Sequence, residues 1–248
     1  MFPRTDGTAL GLIPYLMAGH PDHDGSLAAA RSLAQLPIAA LELGIPFSDP
    51  LADGPVIQRA GQAALEAGMT VAGALELAAE LRGRVPIVLM TSVNPVLSYL
   101  PDRFASDAAA AGVAGVIIPD LPPEEAGEIA GMLQERGVAT IFLVAPTSSD
   151  ERIATICEAS SGFVYCVTLT GITGMRADLP AGLDSLLGRV RSRTSLPVAA
   201  GFGISRPEHV RALRGVADAV AVGSAVVNEV TEGRDPAGLV SELLAACR

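Results

Sequence analysis

"LELGIPFSDPLADGP", residues 41–55, opens as a buried strand and ends as a polar, turn-rich loop. Its apolar run carries a carboxylate, Glu42, and the loop adds Asp49 and Asp53 with no basic residue among them. Desolvation raises the pKa of a buried carboxylate and costs stability, so a strand that keeps one needs a reason. What the stretch means depends on whether its strand-then-loop unit recurs.

It does. Short apolar runs occur at 12–17, 39–43, 87–90, 115–118, 140–144, 163–167, 198–200 and 219–222. Helical patterns rich in Ala, Leu, Glu and Arg lie between them, among them 25–35, 103–111, 123–136, 181–193 and 207–214. Asp150 and Ser205 read as helix starts, with Pro207 in a first turn. Strands alternating with helices imply a parallel sheet, and near-continuously apolar strands imply that both its faces are covered. Eight such strands in 248 residues favour a closed α/β fold, a (β/α)8 TIM barrel, over an open doubly wound sheet. No linker or low-complexity tract divides the chain, so 1–248 reads as a single domain. The stretch 55–82 is longer than one crossover helix needs and predicts an extra helix after the second strand, split near Gly68.

Composition narrows the chemistry. Half the residues are hydrophobic, mean hydropathy is +0.42, only 4% are aromatic and Trp is absent, so the core is built from Ala, Val, Leu and Ile. The formal charge of −10 argues against nucleic acid or an anionic membrane as partner, since both reward clustered cations. A small phosphate ester stays open, because backbone N–H groups can hold it. All 17 basic residues are Arg, so no lysine Schiff base can form on this chain. Cys157, Cys166 and Cys247 are too scattered for a disulfide framework or a zinc site, which fits a reduced cytoplasmic setting. Residues 9–19 weakly mimic a signal peptide, but Pro14 interrupts them and they read equally well as a first strand. No apolar run is long enough to span a bilayer.

In a barrel of this kind the chemistry lies where strands end and loops begin. "AAGFGIS" (199–205) follows the seventh strand and "VGSAVV" (222–227) the eighth, which places Gly201, Gly203, Gly223 and Ser224 in those loops. The glycines either make tight turns or let the backbone approach an anion; the paired occurrence after strands 7 and 8 favours phosphate. After the sixth strand, "YCVTLTGITGMRADLP" (165–180) has the Thr- and Gly-rich composition of a mobile lid, with a plain long loop as the alternative. "GHPDHDGS" (19–26) gathers His20, Asp22, His23 and Asp24, which suits a metal site less well than a helix N-terminus. That leaves the carboxylates. Alternation points Glu42 away from Leu41 and Leu43 into the barrel mouth, while Asp53 stands in a loop where water can keep it ionised. Two carboxylates in different surroundings can divide acid–base work from charge stabilisation; otherwise Glu42 is paired with an arginine or a buried hydroxyl.

"LELGIPFSDPLADGPVIQ" (41–58) closely resembles the signature of the tryptophan synthase α subunit family. "IPYLMAGHPD" (13–22), "IIPDLPPEE" (117–125), "TGITG" (170–174), "GFGIS" and "VGSAVV" fall in family order around it. The resemblance implies a (β/α)8 barrel that cleaves indole-3-glycerol phosphate to indole and glyceraldehyde 3-phosphate. It also implies a β-subunit partner in an α2β2 complex, with pyridoxal phosphate held by that partner and no cofactor or metal in this chain. Glu42 then matches the catalytic glutamate, which protonates the indole carbon and helps deprotonate the glycerol hydroxyl. Asp53 matches the aspartate that accepts the indole N–H. Tyr165 matches an active-site tyrosine, Thr173 a lid threonine that orders Asp53, and Phe202 a residue packing near the substrate. Gly174, Gly203, Gly223 and Ser224 match phosphate contacts, and Tyr15, Ile57 and Leu89 would line the indole pocket. Pro46, Phe47 and Pro50 in the strand-2 loop offer an apolar surface to the β subunit, unless they pack beneath the lid. Two departures stand out: His20 where the family more often has Asp, and Val93 where it often has Tyr before Asn94. A stand-alone lyase and a non-catalytic barrel that binds a phosphorylated ligand remain as alternatives.

Overall fold

The computed structural model describes residues 2, 9–50, 53–167, 182–201 and 203–248. Its strands are β1 (Gly11–Met17), β2 (Leu41–Gly44), β3 (Ile87–Met90), β4 (Val113–Ile117), β5 (Ala139–Ile141), β6 (Leu143–Val144), β7 (Val164–Val167), β8 (Val198–Gly201) and β9 (Ala219–Val222). All pair in parallel, in the order β5-β4-β3-β2-β1-β9-β8-β7-β6. The two ends of that order are halves of one extended segment interrupted at Phe142. β5 pairs only with β4 and β6 only with β7, and the Tyr165 amide donates to the Phe142 carbonyl at 3.2 Å. The sheet thus closes into a (β/α)8 barrel whose fifth strand, expected at 140–144, changes neighbour midway. β7, β8 and β9 are therefore the sixth, seventh and eighth barrel strands.

The long crossover after β2 contains two helices, Pro55–Glu66 and Val71–Glu80. Gly68, at φ +86°, ends the first. Its amide donates to Leu65 and that of Met69 to Ala64, both at 2.9 Å, the paired bonds of a left-handed helix stop that glycine adopts without strain. Thr70 then caps the second helix by accepting the Gly73 amide at 3.1 Å. After β3 comes a helix absent from the sequence reading, Val93–Tyr99, in which Pro95 falls in the first turn, where its missing N–H costs nothing. Among the described residues no helix is long and apolar enough to cross a membrane.

Candidate active site

Tyr15, Glu42 and Val88 are register partners across β1, β2 and β3. Laterally paired residues leave a sheet on the same side, so Tyr15 and Glu42 point together into the barrel, and by alternation Gly44 and Met90 do too. The Tyr15 ring leans over Gly44 so closely that a Cβ there would stand 1.9 Å from the phenol oxygen. Tyr165 on β7 leans over Gly201 on β8 in the same way, with 2.1 Å to an added Cβ. Glu42, 2% exposed, is buried in this interior layer.

Above it, a cavity of about 260 Å³ opens at the C-terminal ends of β1–β4, lined by Tyr15, Phe47, Asp53, Met90, Thr91 and Asp120 among others. Asp53 immediately precedes Gly54, the cap of the helix Pro55–Glu66, and Gln58 Nε2 donates to its backbone carbonyl at 3.0 Å. The helix N-terminus favours negative charge at this place.

Burial pushes the Glu42 carboxyl up to about 8, with the nearby Asp53 charge adding to the effect. Burial also raises Asp53, to about 6, so this carboxylate is less freely hydrated than a position in an open loop suggests. Among the described residues no cation lowers Glu42, and none of their arginines pairs with it. Tyr15 is held well above its ordinary value by burial and then by Asp53, Glu42 and Tyr165; Tyr165 is raised by burial and then by Glu42. Near neutral pH the pair therefore presents a protonated Glu42 beside a largely ionised Asp53: one donor and one acceptor.

The structure brings together Ile57, Tyr15 and Gly223: a Cβ at Gly223 would meet Ile57 Cδ1 at 3.4 Å and Tyr15 Cβ at 3.8 Å. Gly223 precedes the helix Ser224–Thr231, whose first residue is Ser224, and Gly203 takes φ +81° in the loop after β8. Thr173, Gly174 and Phe202 lie outside the described residues, as do residues 168–180 of the expected lid.

Leu89 needs correcting. It pairs in register with Leu43, on the face opposite Glu42, and is fully buried away from the cavity. Met90 lines the cavity instead. β3 reads Ile-Val-Leu-Met, and a run without a polar residue carries no alternation from which to choose a face. Thr91 was also missed; its Oγ1 is buried with no hydrogen-bond partner among the described residues.

Pro46 is buried, while Phe47 and Pro50 are half-buried and line both the cavity and an adjoining surface groove with Pro55, Gln58 and Arg59. In the segment 19–26, Asp22 caps a helix by accepting the Gly25 amide at 2.7 Å, and His20 Nε2 lies 2.9 Å from Thr231 Oγ1. The helix reading of that segment is the one the structure bears out; no cluster of metal-ligating side chains occurs among the described residues.

Comparison with known proteins places this geometry. The family model described as tryptophan synthase alpha chain matches residues 5–248. The tryptophan synthase alpha chain of Solibacter usitatus is 46% identical over 234 residues, covering 94% of this chain and 88% of that protein. A solved structure of Mycobacterium tuberculosis tryptophan synthase superposes with a TM-score of 0.92 at 40% identity, covering 98% of this chain and 94% of the other. A chain of the Pyrococcus furiosus tryptophan synthase α2β2 complex superposes with a TM-score of 0.87 at 40% identity, covering 99% and 100%.

Proposed function

This chain belongs to the tryptophan synthase alpha chain family and performs that family's lyase step, the cleavage of indole-3-glycerol phosphate; we propose that Glu42 and Asp53 divide its acid–base work. The observation that carries this assignment is Glu42 buried in the barrel interior beside Tyr15, beneath the cavity that Tyr15 and Asp53 line, with burial raising both carboxyls, Glu42 to about 8 and Asp53 to about 6. Glu42 delivers its proton to the indole carbon that bears the side chain. Asp53 accepts the ring N–H and stabilises the positive charge that protonation creates. The carbon–carbon bond then breaks, its electrons return to the ring, and the glycerol hydroxyl becomes the aldehyde as Glu42 takes its proton. Lysine is absent from the chain, so the cleavage runs without an imine.

The phosphate is read as lying against the backbone N–H groups of Gly203 and Gly223, with Ser224 at the helix N-terminus. Tyr15, Ile57 and Met90 hold the indole ring by apolar contact. The partner is a tryptophan synthase β chain, as in the α2β2 complex the chain resembles. Docking is assigned to Phe47 and Pro50, which stand beside the groove next to the cavity, so that partner and substrate act on one loop. The test is indole release from indole-3-glycerol phosphate by the purified chain, with and without the β chain. Turnover that rises with β is expected; no release under either condition rejects the function, and Glu42→Gln at wild-type turnover rejects the assignment.

A further inference from the structure

Tyr15 places a phenol O–H on the cavity wall and gives it little to do. The hydroxyl donates to Met17 Sδ at 3.9 Å, and a thioether is a weak acceptor. Packing does not need that oxygen, since a phenylalanine ring fills the same space. β2 nevertheless has glycine at 44 where any side chain would collide, with an added Cβ 1.9 Å from the oxygen and 2.6 Å from Cζ. Gly223 stands on the other side, 3.8 Å from Tyr15 Cβ if it carried a Cβ of its own. The ring is therefore held in place, and the freedom left is the direction of the O–H bond.

We propose that Tyr15 is a positioning residue for Asp53: as Asp53 ionises, its carboxylate turns to the fixed phenol on the wall of the cavity they share, and the Tyr15 O–H leaves Met17 Sδ for it, so that the proton of the carboxylate pair stays on Glu42. This rests on the reading that Asp53 works ionised and Glu42 protonated. An ionised carboxylate outcompetes both a thioether and a protonated carboxyl as an acceptor, and a bond to the charged form favours that form. Asp53 also weighs on the Tyr15 phenol more heavily than Glu42 does. Among the described residues the groups facing Asp53 are Tyr15 from β1, Glu42 from β2 and Asp120 beyond β4, with Tyr165 from β7 facing Tyr15 and Glu42. Among the described residues lining the cavity there is no cation, and Arg59 belongs to the neighbouring groove. The phenol thus supplies the stabilisation of charge that an arginine supplies elsewhere.

The test uses the full chain with Tyr15→Phe, read in two ways. Carboxyl ¹³C NMR of the ligand-free chain, with the resonance assigned through Asp53→Asn, follows Asp53 directly. The acid limb of kcat/KM for indole release, with the β chain present, follows it in catalysis. Losing the donor raises the Asp53 pKa, so both readings move up by about one pH unit, a tenfold loss of kcat/KM below the limb with little change at pH 8. Met17→Leu leaves both where the wild type has them. An unmoved Asp53 titration in Tyr15→Phe overturns the proposal, whatever happens to turnover. So does a Met17→Leu chain that shifts as Tyr15→Phe does, because the effect then belongs to packing. A wild-type chain that releases no indole rejects the proposed function instead, and the NMR titration still decides this point.

Discussion

Tyr165 lies over Gly201 with no room for a side chain between them: a Cβ at 201 would stand 2.1 Å from the phenol oxygen, 2.5 Å from Cζ and 2.7 Å from Cε1. Tyr15 and Gly44 repeat the relationship on β1 and β2. Each glycine is required by close approach, not by its backbone angles. Gly201→Ala forces the ring or β8 to move, and overpacking of this kind costs about 1–3 kcal/mol. We expect a lowered Tm together with reduced indole release. Adding Tyr165→Phe gives no rescue, because two ring carbons collide as well. A Gly201→Ala chain with wild-type Tm and turnover would refute the geometry.

The carboxylate pair predicts a bell-shaped pH dependence. With the roles proposed above, catalysis needs Asp53 ionised, which fails as pH falls through about 6, and Glu42 protonated, which fails as pH rises through about 8. The two limbs belong to the coupled pair. Measuring kcat/KM for indole release from pH 5 to pH 9 checks this, and a profile flat across that range contradicts it.

Stability should follow the same burial with a definite sign. Glu42 titrates at about 8 in the fold against 4.5 ordinarily, so across that window the folded chain holds a proton that the unfolded chain has released. Its contribution therefore falls as pH rises from about 4.5 to about 8. Glu42→Gln removes the penalty, and its stability relative to wild type should improve between pH 5 and pH 8 by on the order of 3 kcal/mol. Thermal melts at the two pH values test it; a constant difference means that Glu42 is not desolvated.

Register separates Leu89 from Met90. Leu89→Ala opens a hole between sheet and helices and should cost about 2–5 kcal/mol with KM unchanged. Met90→Ala removes a wall of the cavity and should raise KM with a smaller loss of Tm. Interchanged outcomes would mean that β3 presents the other face.

Of the residues proposed for docking, Phe47 is the one where a charge can be introduced most cleanly, because it is half-buried beside the groove while Pro46 is buried. Phe47→Glu should weaken β-chain binding by about tenfold or more, as an apolar interface contact becomes a charge that must be desolvated. Titration calorimetry with the β chain reads this directly, and unchanged affinity moves the interface elsewhere.

What was legible in the residues was whatever has a local cause. β3 and β9 lie where the apolar runs put them, and Gly68 splits the crossover helices because a left-handed helix stop is a property of a few adjacent residues. Glu42 declared itself for the same reason: one charge in an apolar run is conspicuous, and strand alternation turned it inward.

The chain alone thus determined that a barrel forms, that Glu42 faces its interior and that glycine loops follow its last strands. Tertiary structure decided which face of β3 lines the cavity, that Pro46 is buried, that the fifth strand divides at Phe142, and that burial raises Asp53 to about 6. It alone brought Tyr15 beside both carboxylates. Those outcomes depend on register between strands remote in sequence and on how much water the closed barrel excludes, and neither is a property of any one segment.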